Sequence, residues 1–303
     1  MRRRAQFPNN RPVIGGSVAD RGRNLRQGYA LLTPALAVMG FGLAAPLLLM
    51  AITSVKSQSG ISFSQGWTLA QYGEVLGRAS YRSLFLRSVL ISGAVTLVTV
   101  ALAYPMAYFV AFHAKRKFVW LVALTIPFWT SYLLRVFAWK IILGFNGVIN
   151  SELMRLHLID QPLQFLLYNP FAVVVTLAHA WAAFAILPIY VSLEKIDRSL
   201  LEAASDLGDS AFRRFLRVTL PLSMPGVIGA AILIFVPTTG DFVTPQLVGG
   251  TKGTMIANLI EVQFNAAGNW PLGAALSLVS MAMVGVLAGL FVAAARAATR
   301  SVR

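Results

Sequence analysis

Long apolar stretches alternate with short polar ones along the chain. The apolar stretches cover about residues 29–53, 84–112, 118–143, 171–193, 224–240 and 272–295. Most reach the roughly 20 residues that an α-helix needs to cross the hydrocarbon core of a bilayer. The fifth is shorter, and "GDFVTPQLVGG" extends it as irregular backbone. Six membrane-spanning helices are therefore predicted, and the fold class is all-α transmembrane. Proline interrupts the stretches at Pro34, Pro46, Pro105, Pro127, Pro188 and Pro237. Each lacks a backbone donor and kinks a helix. In a membrane such kinks persist where neighbours re-satisfy the freed carbonyls. A bundle of bent helices suits a transporter, and it also occurs in membrane enzymes.

Composition agrees with the span pattern. Of the 303 residues, 57% are hydrophobic and 12% charged, against roughly 45–50% and about 25% in soluble proteins. That leaves too little charge to cover a soluble surface. Cysteine is absent, which excludes disulfides, thiol nucleophiles and thiolate metal sites.

The net charge of +15 would suit nucleic acid if it were gathered on one face. Its placement argues for topology instead. Eighteen of the 26 basic residues fall in residues 1–28, the "HAKRK" loop, segment 194–223 and the tail after Ala295. Only five fall in loops 54–83, 145–170 and 246–270. This is a positive-inside bias, and it puts both termini in the cytoplasm. Residues 1–28 are rich in Pro, Gly, Asn and Arg and are expected to be a disordered basic leader. No small-residue cleavage site follows the first span, which is read as a retained anchor. Residues 29–295 form the six-span domain and 296–303 a cytoplasmic tail.

Segment 194–223 stands out between two apolar stretches. Ser199 with Glu202 three residues on has the spacing of a capping box. Leu200, Ala203, Ala204, Leu207 and Ala211 recur at helix spacing. Gly208 permits a tight turn. A second short helix follows, with Phe212, Phe215, Leu216 and Thr219 on one side and Arg213, Arg214 and Arg217 on the other. Pro221 and Pro225 bracket the entry to the fifth span. The pattern fits either an amphipathic pair lying on the bilayer or a rigid knob offered to a soluble partner.

The stretch "EAASDLGDSAFRRFLRVTLPLSMPG" resembles the EAA loop of bacterial ABC importer permeases. That pattern is Glu-Ala-Ala, three residues, Gly, then a helix ending at a hydrophobic residue and Pro. Glu202, Ala203, Ala204, Gly208 and Pro221 match it. Further stretches, "PFWTSYLLRVFAWKIILGFNGVIN", "LPIYVSLEKIDRSLLEAASDLG" and "NWPLGAALS", are similar to the first-permease branch of spermidine/putrescine-type importers. The resemblance implies a type I importer-like bundle in the bacterial inner membrane. It implies that Glu202, Ala203, Ala204 and Gly208 couple the permease to an ATPase. Its implied partners are two ATPase subunits using ATP and Mg, a second permease forming a heterodimer, and a periplasmic binding protein. It implies import of putrescine or spermidine, with opines, phosphonates or organic anions as alternatives. A standalone secondary transporter is the competing class. Such chains often show paired repeats with broken helices, and no internal repeat is visible.

No catalytic constellation is visible. The phosphate loop G-x-x-x-x-G-K-[ST] is absent, so ATP hydrolysis is assigned to a partner and the chain is expected to hold no cofactor. His113, His157 and His179 are scattered and lack zinc spacing. Arg135, Lys140 and Asp241 lie at membrane depth, where ionisable groups face a bundle interior or cavity. Asp241 suits a cationic substrate through a charge-assisted hydrogen bond, or an ion pair with Arg135. Trp129 and Tyr132, three residues apart, are expected on one helix face and, with Phe128, Phe137 and Trp139, suit either a cavity wall that attracts amines or an interfacial belt. Asp241, Trp129, Tyr132 and Arg135 are the candidate substrate-path residues. "NLIEVQFNAAGNWPLG", with Glu261, suits a binding-protein contact or a membrane-surface connector.

Overall fold

A computed structural model describes residues 18–60 and 62–300. The elements, in chain order, begin with helix α1 (Val18–Ser54) and a hairpin of β1 (Lys56–Ser59) and β2 (Ser62–Trp67). Helices α2 (Ala70–Gly77), α3 (Ala79–Phe112), α4 (Lys117–Thr125), α5 (Tyr132–Leu143) and α6 (Val148–Arg155) follow. Then come α7 (Pro170–Glu194), α8 (Arg198–Asp206), α9 (Ala211–Arg214) and α10 (Leu220–Thr239). Helices α11 (Gly250–Gly253), α12 (Ile256–Asn265) and α13 (Trp270–Arg300) complete the described residues. Two compact units are distinguished, 1–52 and 53–303. The first is represented by α1. That helix begins at Val18, so residues 18–28 of the expected disordered leader are helical; 1–17 lie outside the described residues. Residues 18–28 contain no proline, and each added turn of an existing helix gains a hydrogen bond without a new nucleus.

Among the described residues, six helices are long and apolar enough to span: Leu32–Ser54, Ala79–Phe112, Tyr132–Arg155, Pro170–Glu194, Ala211–Thr239 and Trp270–Ala295. Five correspond to the predicted spans. The third differs. The stretch predicted at 118–143 breaks after α4, passes through the 3₁₀ turn Ile126–Trp129 and resumes as α5. Pro127 sits in that turn, and Thr130 and Ser131 are extended. A proline that deletes a donor and crowds the preceding turn explains the break.

The centre of the second unit is α7, whose apolar window is 56% buried. It packs on α3 and α10 through Ala103 and Ala107 of α3, Ala185, Ile186 and Ile189 of α7, and Ala230 and Ile234 of α10. In lipid the hydrophobic effect does little to join helices; close packing of small residues and interhelical hydrogen bonds do. Gly226 of α10 shows this directly. A Cβ there would lie 2.4 Å from the Pro188 carbonyl oxygen and 2.5 Å from Ser192 Oγ. Tyr104 of α3 and Ser223 of α10 share a hydrogen bond of 2.8 Å.

A second cluster joins α2, the start of α3, α12 and α13, through Val75, Phe85, Ile256, Leu272 and Leu276. Buried Ser88 accepts from the Ile256 backbone N–H at 2.7 Å, satisfying the first turn of α12. The connection between α5 and α7 is fixed by Asn150. Its Nδ2 donates to the carbonyls of Gly144, Phe145 and Leu163, and its Oδ1 accepts from Leu163 N–H at 2.8 Å. The hairpin is tied down by Gln58. Its Nε2 donates to the Gly268 carbonyl at 2.6 Å and its Oε1 accepts from Trp270 N–H at 3.2 Å.

Candidate functional site

Segment 194–223 builds a projecting helix on a turn. The N-cap of α8 is Asp197, whose side chain accepts from Ser199 N–H at 3.0 Å. That backbone bond holds the Asp197 carboxyl below its ordinary pKa. The expected Ser199–Glu202 capping box therefore does not form, because the helix starts two residues earlier than it requires. Gly208 has φ +85°, a left-handed conformation that costs glycine nothing. Its amide donates to the Ser205 carbonyl and the Asp209 amide to the Ala204 carbonyl, closing the end of α8.

The expected second helix is not a separate element. From Ala211 the chain runs through a π-turn, Phe215–Thr219, straight into α10, making one helical run to Thr239. Pro221 does not stop it. The Leu220 amide reaches back to the Phe215 carbonyl, a widened turn that accommodates the donor missing at Pro221.

The faces also differ from expectation. Of the predicted apolar face, Ala204 is buried, while Leu207 is 89% exposed and Leu200 and Ala203 are exposed. Phe212 is 70% exposed. Glu202 and Gly208 are exposed too. A small acidic and apolar surface from Glu202 to Phe212 thus projects from the bundle. The arginines act within the chain. Arg214 donates to Ser205 Oγ on α8, and Arg217 pairs with Asp209 at 3.2 Å. Phe215 turns inward, edge-on to Tyr104 at 5.6 Å between ring centroids. Sequence reasoning missed the Arg214–Ser205 and Arg217–Asp209 pairs as a brace, because contacts around Gly208 depend on the turn's geometry and not on helical spacing.

Near the other end of the same run, a cavity of about 310 Å³ is lined by Tyr132, Arg135, Ala180, Trp181, Phe184, Pro237 and Asp241. Tyr132 Oη donates to Asp241 Oδ2 at 2.6 Å and contacts Thr244 Oγ1. Asp241 Oδ1 accepts from the Val243 amide at 3.0 Å. Arg135 lines the cavity without pairing to Asp241 among the described residues. Its guanidinium lies 5.0 Å from the Phe128 ring centroid, and Nη1 donates to the Ala180 carbonyl at 3.3 Å. Trp181 Nε1 and Arg135 Nε are buried without a partner.

The structure therefore gathers Tyr132, Arg135 and Asp241 and leaves Trp129 out. Trp129 is 83% exposed, at the end of the 3₁₀ turn. The break after it means that Trp129 and Tyr132 do not share a helix face. Lys140 lies in the last turn of α5. Trp181 and Phe184 carried no sequence signal beyond an apolar span.

Comparisons with known proteins agree with this architecture. The profile of the family "Binding-protein-dependent transport system inner membrane component" matches residues 35–301. The spermidine/putrescine transport system permease protein PotB of Escherichia coli (strain K12) is 37% identical over 245 residues, 80% of this chain and 88% of that protein. PotB of Haemophilus influenzae is 34% identical over 239 residues, 78% and 83% of the two chains. Among solved structures, a bacterial ABC transporter for the acidic polysaccharide alginate superimposes with a TM-score of 0.72 at 15% identity, covering 92% of this chain and 97% of that one. With six apolar helices among its described residues, the chain is a multi-pass inner-membrane protein and a transport subunit rather than an enzyme. It belongs to the family of binding-protein-dependent transport system inner membrane components.

Proposed function

We propose that this chain is one of two non-identical permeases in an ABC importer that moves polyamines inward by ATP-driven alternating access. One observation carries the mechanism: the helical run Ala211–Thr239 joins the exposed surface around Glu202 to the cavity that holds Asp241. On this reading both termini and residues 194–223 face the cytoplasm, as the basic residues suggest. Two ATPase subunits bind and hydrolyse ATP with Mg, and one of them receives Glu202, Ala203 and Leu207 in a cleft. Ala204 packs inward, and Gly208 makes the turn that presents the others. A periplasmic binding protein delivers the substrate at the opposite side.

In the cavity Asp241 supplies the negative charge and Tyr132 holds its orientation. An ammonium group meets the carboxylate through a charge-assisted hydrogen bond. Relatives named for spermidine/putrescine transport, at 34–37% identity, support the choice of polyamine. A second reading, the same importer serving a small organic anion, draws on the unpartnered donors Arg135 Nε and Trp181 Nε1.

Uptake by the complete importer with its binding protein, reconstituted in proteoliposomes, distinguishes the two. ATP-dependent accumulation of labelled spermidine or putrescine is expected, and Asp241→Asn lowers it by about tenfold, equivalent to about 1.4 kcal/mol. ATP hydrolysis stimulated by the binding protein persists in that variant. Accumulation of an organic anion with no polyamine uptake overturns the polyamine reading.

A further inference from the structure

A second cavity, about 630 Å³, lies among the C-terminal end of α10, α12 and α13. Its walls are chiefly apolar, and Glu261 of α12 stands among them. The Glu261 carboxylate accepts from Asn265 Nδ2 at 3.0 Å, one helical turn on. It makes no ion pair among the described residues. Ser280 of α13 lines the same cavity, and its hydroxyl is buried without a hydrogen-bond partner. Phe242 and Phe264 line it as well. The Phe264 ring lies against Gly273, where a Cβ would come within 3.1 Å of it.

Glu261 is half-buried beside these walls, and a carboxylate so placed at membrane depth attracts a cation. An ammonium group in the cavity donates to the carboxylate, and the aromatic rings beside it favour a cation further. The methylenes that carry it suit the apolar walls. Gly240 lines this cavity and the adjacent Asp241 lines the other.

We propose that this cavity is a second amine subsite, which takes one ammonium end of an alkyl polyamine against Glu261. The identity of the ligand rests on the polyamine reading above; the preference for an alkyl cation rests on the cavity alone. Each of the two cavities thus carries one carboxylate, Asp241 in the first and Glu261 in the second.

The cysteine-free sequence gives a direct test in the complete importer. Ser280→Cys, and separately Ser277→Cys, is reacted in membrane vesicles with cationic 2-aminoethyl methanethiosulfonate and with uncharged methyl methanethiosulfonate. Labelling of this chain is followed by mass. The ratio of the two rates cancels changes in thiol acidity. A several-fold preference for the cationic reagent is expected, kept in Glu261→Asp and lost in Glu261→Gln. Spermidine is expected to slow the reaction. A preference that survives Glu261→Gln, a rate that spermidine leaves unchanged, or no reaction at either position in a transporting complex overturns the proposal. Labelling needs no transport, so those failures leave the importer reading intact. Absence of polyamine uptake by the unaltered importer sinks that reading and leaves the cation preference standing.

Discussion

Tyr132 has one hydroxyl hydrogen, and the 2.6 Å contact gives it to Asp241. Tyr132→Phe is expected to leave the carboxylate in place but free to turn, weakening uptake less than Asp241→Asn does, with normal assembly by size-exclusion chromatography. Gly208 is constrained by backbone and not by space, since a Cβ there meets nothing within 4 Å in this chain. Its φ of +85° still penalises branched residues, at about 1–2 kcal/mol. Gly208→Asn should therefore couple better than Gly208→Val, read as ATP hydrolysed per solute moved. Asp197 sets a pH window. Its carboxyl is held below the ordinary value by the Ser199 amide, so its support of α8 is complete above about pH 4 and fades as pH falls through the lowered value. Transport between pH 6 and 8 should not report this group. Gly208 was legible in the sequence because only glycine suits that turn so cheaply. Asp197 was hidden by the competing signal of Ser199 with Glu202.

Helices meet here through missing side chains as much as through present ones. The Pro188 carbonyl and Ser192 occupy the space that any larger residue at position 226 would need. Gly226→Leu is expected to separate α7 from α10 and sharply reduce recovery of assembled importer, whereas Gly229→Leu, with nothing within 4 Å of its Cβ position, should be tolerated. No pattern in the sequence tells these two glycines apart, because the distinction belongs to the facing helix. Proline was similarly ambiguous. Pro127 ends α4, whereas Pro221 lies within a helical run that continues. The extended residues after Pro127 and the π-turn before Pro221 separate the two outcomes, and neither has a periodic signature. Five of the six spans were legible because hydropathy over some 20 residues outweighs such local detail.

For the whole molecule, sidedness follows from charge and can be measured without cysteine background. Ser210→Cys and Ser62→Cys place thiols at exposed positions on the segment after α8 and on the hairpin. A membrane-impermeant maleimide added to spheroplasts should label position 62 alone, and both positions after lysis. The reverse pattern would invert the proposed orientation. The centre of the bundle, α7 between α3 and α10, was not readable from hydropathy, since all the spans are comparably apolar; burial chooses among them only after folding. One geometric consequence follows from the unbroken run Ala211–Thr239. Its 29 residues amount to a rod about 43 Å long at 1.5 Å per residue. Pivoted at one end, such a rod sweeps its far tip by about 4 Å for a tilt of a tenth of a radian. Such a small tilt is thus amplified, like the stroke of an oar, into a displacement as large as a carbon chain is wide.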